Sequence, residues 1–281
     1  MRIDAHQHFW KIDRGDYGWI TPELPILYRD FLPTDLEPSL HKHQIDKTIL
    51  VQAAPTVEET EFILQLSETA DFIAGVVGWL DLEAPSYREQ YERFAQHPKF
   101  IGFRVMIQDM EDPNIILSPA YIEALSYFAD RDVPIDLLVL SHQLPQLVQL
   151  LERVPHLRGV VDHLAKPLIA SGEIEPWRSQ MAEIAKHSNI YCKLSGMVTE
   201  ANREFWKKED FTAYVNEVLD LFGPERIMFG SDWPVCLLAA TYDEVVDLFR
   251  YTLRDRLTPE ETEAVFGGNA AKFYKLLSMG G

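Results

Sequence analysis

Short apolar runs alternate with amphipathic stretches along most of this chain. Eight runs, at residues 2–6, 48–53, 72–78, 100–105, 134–139, 158–162, 189–195 and 226–230, read as strands. Between them, residues 57–70, 87–97, 119–131, 143–152, 176–187, 211–222 and 242–253 read as helices. Strands alternating with helices imply parallel β/α units. Eight units predict closure into a (β/α)8 barrel of the TIM type. The competing architecture, an open doubly wound sheet, would carry a glycine-rich phosphate turn after its first strand. This chain has His6-Gln7-His8 there.

Two segments break the rhythm. Residues 9–33 are long for a βα loop and hold Trp10, Tyr17, Trp19 and Tyr28. In a barrel this loop would stand at the carboxyl end of the first strand, where barrel enzymes keep their active sites. It is either a lid or a loop that its aromatics pack onto the barrel, and both readings stay open. Residues 259–266 and 269–277 read as two closing helices. No linker or shift of composition divides the chain, so one domain is expected over residues 1–281.

Composition narrows the partners. A net charge of −18 disfavours nucleic acid and anionic membranes. No run approaches the roughly 18 apolar residues of a membrane span. Charge near the amino terminus occupies the place where a secretion signal needs an apolar stretch, so a cytoplasmic address is expected. Cys192 and Cys236 read as free thiols, and Cys236 has no thiolate-activating context. The expected partner is a small molecule. Monomer and homodimer both remain open.

The chemistry gathers at predicted strand ends. His6 and His8 share one face of the first strand, with Asp4 one layer below. Asp162 and His163 face opposite ways at the end of the sixth strand, and His163, on the face of Gly159 and Val161, is the better lumen residue. Asp232 follows Gly230-Ser231 at the end of the eighth strand, either as a general base or metal ligand or as a helix N-cap. Arg104 and Lys193 end or occupy other strands; each would bind substrate or partner a buried carboxylate such as Asp136. Lys166 lies in the loop after His163. His41, His43, His97, His142, His156 and His187 read as solvent-facing.

Taken together, Asp4-Ala5-His6-Gln7-His8, Asp162-His163-Leu164-Ala165-Lys166-Pro167, Lys193-Leu194-Ser195-Gly196, Phe229-Gly230-Ser231-Asp232-Trp233-Pro234 and Gly268-Asn269-Ala270-Ala271-Lys272-Phe273-Tyr274 resemble the amidohydrolase-related (amidohydrolase 2) family. The likeness is strongest to its sugar lactonases, of the L-fuconolactonase and L-rhamnonolactonase type. It spans essentially the whole chain and implies a barrel hydrolase opening a small lactone. In that reading Asp232 activates water, His6 and His8 with Arg104 stabilise the oxyanion, and His163 helps protonate the leaving oxygen. Lys166, Lys193, Trp10 and Trp233 would hold the sugar. A binuclear metal centre is not expected, because the fourth strand ends in Arg104 and the fifth offers no histidine. What remains is one divalent ion, zinc first, on His6, His8, His163 and Asp232, or no metal, with Arg104 supplying the charge. A zinc-dependent decarboxylase and a dicarboxylate lactone hydrolase are the alternatives within the family.

Overall fold

A computed structural model describes residues 1–276. Its eight strands are β1 (Ile3–Gln7), β2 (Lys47–Val51), β3 (Ile73–Gly78), β4 (Phe100–Met106), β5 (Ile135–Leu138), β6 (Gly159–Val161), β7 (Ile190–Leu194) and β8 (Ile227–Phe229). They pair in parallel, in chain order. The helices between them are α1 (Pro33–His43), α2 (Val57–Ser67), α3 (Tyr87–Phe94), α4 (Pro119–Ala129), α5 (Leu144–Arg153), α6 (Trp177–Ala185), α7 (Glu209–Phe222) and α8 (Tyr242–Leu253). All eight expected strands are present, and the chain forms the TIM barrel they imply. Among the described residues no helix is long and apolar enough to cross a membrane.

The helices dock through apolar stripes at three- and four-residue spacing. Leu144, Leu147, Leu150 and Leu151 are the buried face of α5, and Phe211, Tyr214, Val215, Val218, Leu219 and Phe222 that of α7. Helix α1 is not evident in the sequence pattern, since Pro33 and Pro38 both read as breakers. Pro33 in fact occupies the first turn, where its missing N–H costs nothing. Burial of Leu36, Leu40 and His43 carries the helix past Pro38. His43 is therefore not solvent-facing: it is buried, and its Nε2 lies 2.5 Å from Asp243 in α8.

The closing region forms α9 (Pro259–Glu263), a wide turn over Ala264–Gly268, and α10 (Asn269–Phe273). Leu277, the last residue of the expected second helix, lies outside the described residues. Ala270, Ala271, Phe273 and Tyr274 pack with Ile3, Ala5, Ile49, Val51, Val160, Tyr191 and Met228, alternate strand residues that form an interior cluster separate from the strand–helix core. Above this apolar plug lies a charged layer. Tyr274 donates to Asp136 at 2.6 Å, the Lys193 ammonium bonds Asp136, and it stands 3.2 Å from Asp162 and 3.1 Å from His6 Nδ1.

Strands β8 and β1 are not joined by a full ladder. The seam closes at its carboxyl end, where Asp232 N–H donates to His6 C=O at 2.8 Å and His8 N–H donates to Trp233 C=O at 2.7 Å. The register of β1 slips between Asp4 and Gln7. The slip overturns the expected placing of Asp4 beneath the histidines. Its carboxylate instead accepts from Ser231 N–H at 2.8 Å and from the Tyr242 hydroxyl of α8 at 3.1 Å.

Replacing Tyr274 with Phe removes a buried donor and leaves an Asp136 oxygen without it. The variant is expected to lose about 1–3 kcal/mol in urea unfolding. Wild-type stability in that variant would show that Tyr274 does not hold the charged layer.

Candidate active site

At the carboxyl end of the barrel the chain leaves β6 in an unusual conformation. His163, Leu164, Ala165 and Lys166 have φ of 54°, 53°, 58° and 48°, four consecutive left-handed residues. Such residues cost roughly 1–2 kcal/mol each and rarely occur in series. The turn breaks the alternation that sent Asp162 and His163 to opposite faces. Asp162 sits among Arg104, Lys193 and His6 in the lumen, and His163 swings over the same centre. Asp232, also left-handed at φ 57°, reaches it from the seam.

Four ligand-type atoms converge here. His8 Nε2 lies 3.2 Å from His6 Nε2 and 3.3 Å from Asp232 Oδ1. His6 Nε2 and His163 Nε2 each lie 3.8 Å from the same oxygen. The far side of each ring is engaged. His8 Nδ1 donates to Val51 C=O at 2.8 Å, His163 Nδ1 bonds the Ser195 hydroxyl at 2.8 Å, and His6 Nδ1 faces Asp162 at 3.4 Å. Because a carbonyl only accepts, a neutral His8 must carry its proton on Nδ1 and present a bare lone pair at Nε2.

Burial lowers His6 well below the ordinary histidine range and His163 to about 4, so both are neutral near pH 7. Burial alone would raise Asp232, but the neighbouring His163, His8 and His6 outweigh it and hold the carboxyl below its usual range. Ring nitrogens and a carboxylate thus face one another across 3.2–3.8 Å. Ligands about 2.0–2.1 Å from a tetrahedral ion stand roughly 3.3 Å apart, so the His6, His8 and Asp232 atoms fit one divalent ion. Engaged second nitrogens on the histidines are the usual support of such a site.

Two glycines admit this crowding. A Cβ on Gly196, which has φ +59°, would lie 2.5 Å from His163 Nδ1 and 3.2 Å from Asp232 Oδ2. A Cβ on Gly230 would lie 2.7 Å from the Cβ of His6.

Beside the centre lies a cavity of about 240 Å³, bounded by His8, His163, Asp232, Arg104, Lys166 and Trp19 among others. Three consecutive carbonyls at the end of β2 hold its walls. Val51 C=O binds His8, Gln52 C=O accepts from Arg104 Nη2 at 2.6 Å, and Ala53 C=O accepts from the Trp19 indole at 2.8 Å. Arg104 also reaches Asp162 at 3.3 Å.

Comparison with known proteins agrees with this fold. The model of an amidohydrolase family matches residues 3–276. The chain belongs to that family. An L-fucono-1,5-lactonase from Burkholderia ambifaria is 41% identical over 98% of this chain and 96% of its own length, and one from Burkholderia multivorans is 38% identical over the same shares. A crystal structure of a Burkholderia multivorans amidohydrolase with bound zinc superposes with a TM-score of 0.91, at 39% identity over 98% of this chain and 99% of that one. This amidohydrolase is accordingly a hydrolase, and its His/Asp groups are of a kind that can take a divalent metal.

Of the residues expected at the site, the structure brings together His6, His8, His163, Asp232, Arg104 and Lys166. Lys193, Trp10 and Trp233 stand behind the cavity wall. Lys193 is fully buried between Asp136 and Asp162. Trp10 is locked into the loop by Phe31 and a bond to Arg29 C=O, and Trp233 packs between Phe9 and Phe31. The long loop is therefore both packed and functional in placement: Trp10 holds it together, and Trp19, 40% exposed, reaches the cavity. Sequence reasoning missed Trp19, Asp162 and Ser195 as site residues. Ser195 had a signal, since it shares a strand face with Lys193.

Changing Gly196 to Ala should push the His163 ring off Ser195. Turnover is expected to fall about 100-fold, the scale of a roughly 1 Å misplacement, with the far-ultraviolet circular dichroism unchanged. Full turnover in a folded variant would show that the crowding is tolerated.

Proposed function

We propose that this protein hydrolyses the 1,5-lactone of a six-carbon sugar acid of the fuconate type, with Asp232 as the base. The observation that carries the reading is the convergence of Asp232 with three histidines on one wall of a small cavity. Its L-fucono-1,5-lactonase relatives supply the substrate class. The cavity, about 240 Å³, lies below the ~300–1,000 Å³ usual for drug-sized ligands, which suits a monosaccharide ring.

Asp232, ionised and 4% exposed, holds a water against the lactone carbonyl and takes its proton as the new C–O bond forms. Arg104, fixed by Gln52 and Asp162, faces the oxygen on which negative charge develops. The ring C–O bond then breaks. His163, beside Asp232 and too weakly basic to keep a proton near pH 7, passes that proton to the departing ring oxygen. Lys166 at the mouth binds hydroxyls or the carboxylate product, and Trp19 offers an apolar face to the ring. Zinc, when held by His6, His8 and Asp232, would supply Lewis acidity toward the carbonyl.

The test is acid release from a panel of sugar-acid lactones, followed with a pH indicator, on chelator-stripped and zinc-loaded protein. L-Fucono-1,5-lactone should be opened, and Asp232→Asn should lower kcat by about 10²–10⁴-fold without unfolding. A requirement for zinc would place the ion in the reaction, and turnover by stripped enzyme would assign the polarising charge to Arg104. Release of carbon dioxide from an aromatic acid, with no lactone opened, would overturn the reading.

A further inference from the structure

We infer that Glu59 is a positioning residue for the active site, acting on Arg104 through the peptide unit between Gln52 and Ala53. Glu59 lies in the first turn of α2 and is completely buried. Its Oε1 accepts from Ala53 N–H at 3.1 Å. The carbonyl of that same peptide unit is Gln52 C=O, which accepts from Arg104 Nη2 at 2.6 Å. A trans peptide is planar, with N–H and C=O pointing in opposite directions. An acceptor fixed on one side therefore fixes the direction of the oxygen on the other. One residue further on, Ala53 C=O holds the Trp19 indole, so the same anchor also steadies the cavity's aromatic wall.

The surroundings of Glu59 favour its neutral acid. Among the described residues no cation forms an ion pair with it, and its Oε2 has no partner. Facing it are Arg14, Asp16 and Tyr17 of the long loop, Arg104 of β4 and the Ala53 N–H at the end of β2; Thr56 caps its helix. Burial, with Asp16 adding to it, raises the carboxyl from 4.5 to about 8 against the weaker opposition of Ala53, Arg104 and Arg14. The folded state thus binds this proton more tightly than the unfolded chain. The stability it contributes is complete below pH 4.5 and is lost as pH rises through about 8. Ionisation would place a buried negative charge beside the half-buried Asp16 and disturb the peptide that orients Arg104.

The kinetic consequence rests on the lactonase reading; the stability consequence does not. Glu59→Gln keeps an acceptor and cannot ionise. Wild-type kcat/KM should decline above pH about 8, and its Tm should fall over the same interval. In Glu59→Gln both declines should be reduced or absent. Asp16→Asn, which removes the neighbouring charge, should move them to lower pH. Glu59→Ala should lower kcat/KM at pH 7 about tenfold or more through misplacement of Arg104. Declines in Glu59→Gln identical to the wild type, or an Asp16→Asn profile that does not move, would overturn the inference. A protein that opens no lactone would sink the preceding proposal, and the Tm profiles would still decide this one.

Discussion

The arrangement depends on how β8 meets β1. Two main-chain hydrogen bonds, between residues 6–8 and residues 232–233, close the barrel at its carboxyl end. They also set the distance between the histidine pair and the carboxylate. Backbone bonds are less compliant than side-chain contacts, so Asp232 is held by the barrel itself, not by a loop conformation. Closure and assembly of the centre are one event.

Inside that ring the barrel changes character along its axis. An apolar plug at the amino end gives way to Asp136, Lys193 and Asp162, and then to the histidines. Each buried charge has a partner, as the cost of burying ions requires. Burial keeps His6 neutral, while the layer gives its far nitrogen a carboxylate to lean on. Holding His163 in place requires a left-handed run of four residues. At roughly 1–2 kcal/mol each, this is a sizeable fraction of the about 5–15 kcal/mol by which a domain is stable. Strain of that size persists where surrounding contacts over-determine it, and the Ser195 bond and the Trp177 indole bond to Leu164 C=O do so here.

The barrel was legible because its strands and helices differ in period, and each of the eight apolar runs became a strand. The histidines, Asp232 and Arg104 were legible because strand ends on one barrel face collect chemistry. What alternation misassigned follows from local departures from ideal geometry. A register slip moved Asp4 to the outer face, and the left-handed turn brought Asp162 and His163 to one centre. Trp19 lies in a loop without periodicity, so nothing distinguished it from Trp10 until the packing did. Helix α1 was obscured by prolines that its packing tolerates.

The bond from Tyr274 to Asp136 joins residues 138 positions apart and ties the closing region to the charged layer beneath His6. While the chain is being made on the ribosome, all eight strands emerge before residue 274 does. A nascent barrel at that stage lacks its plug and the donor that settles Asp136. Full competence of the centre is therefore deferred until this stretch has cleared the exit tunnel, and nicking just ahead of it would act on the enzyme as a loss of activity from the opposite end of the barrel.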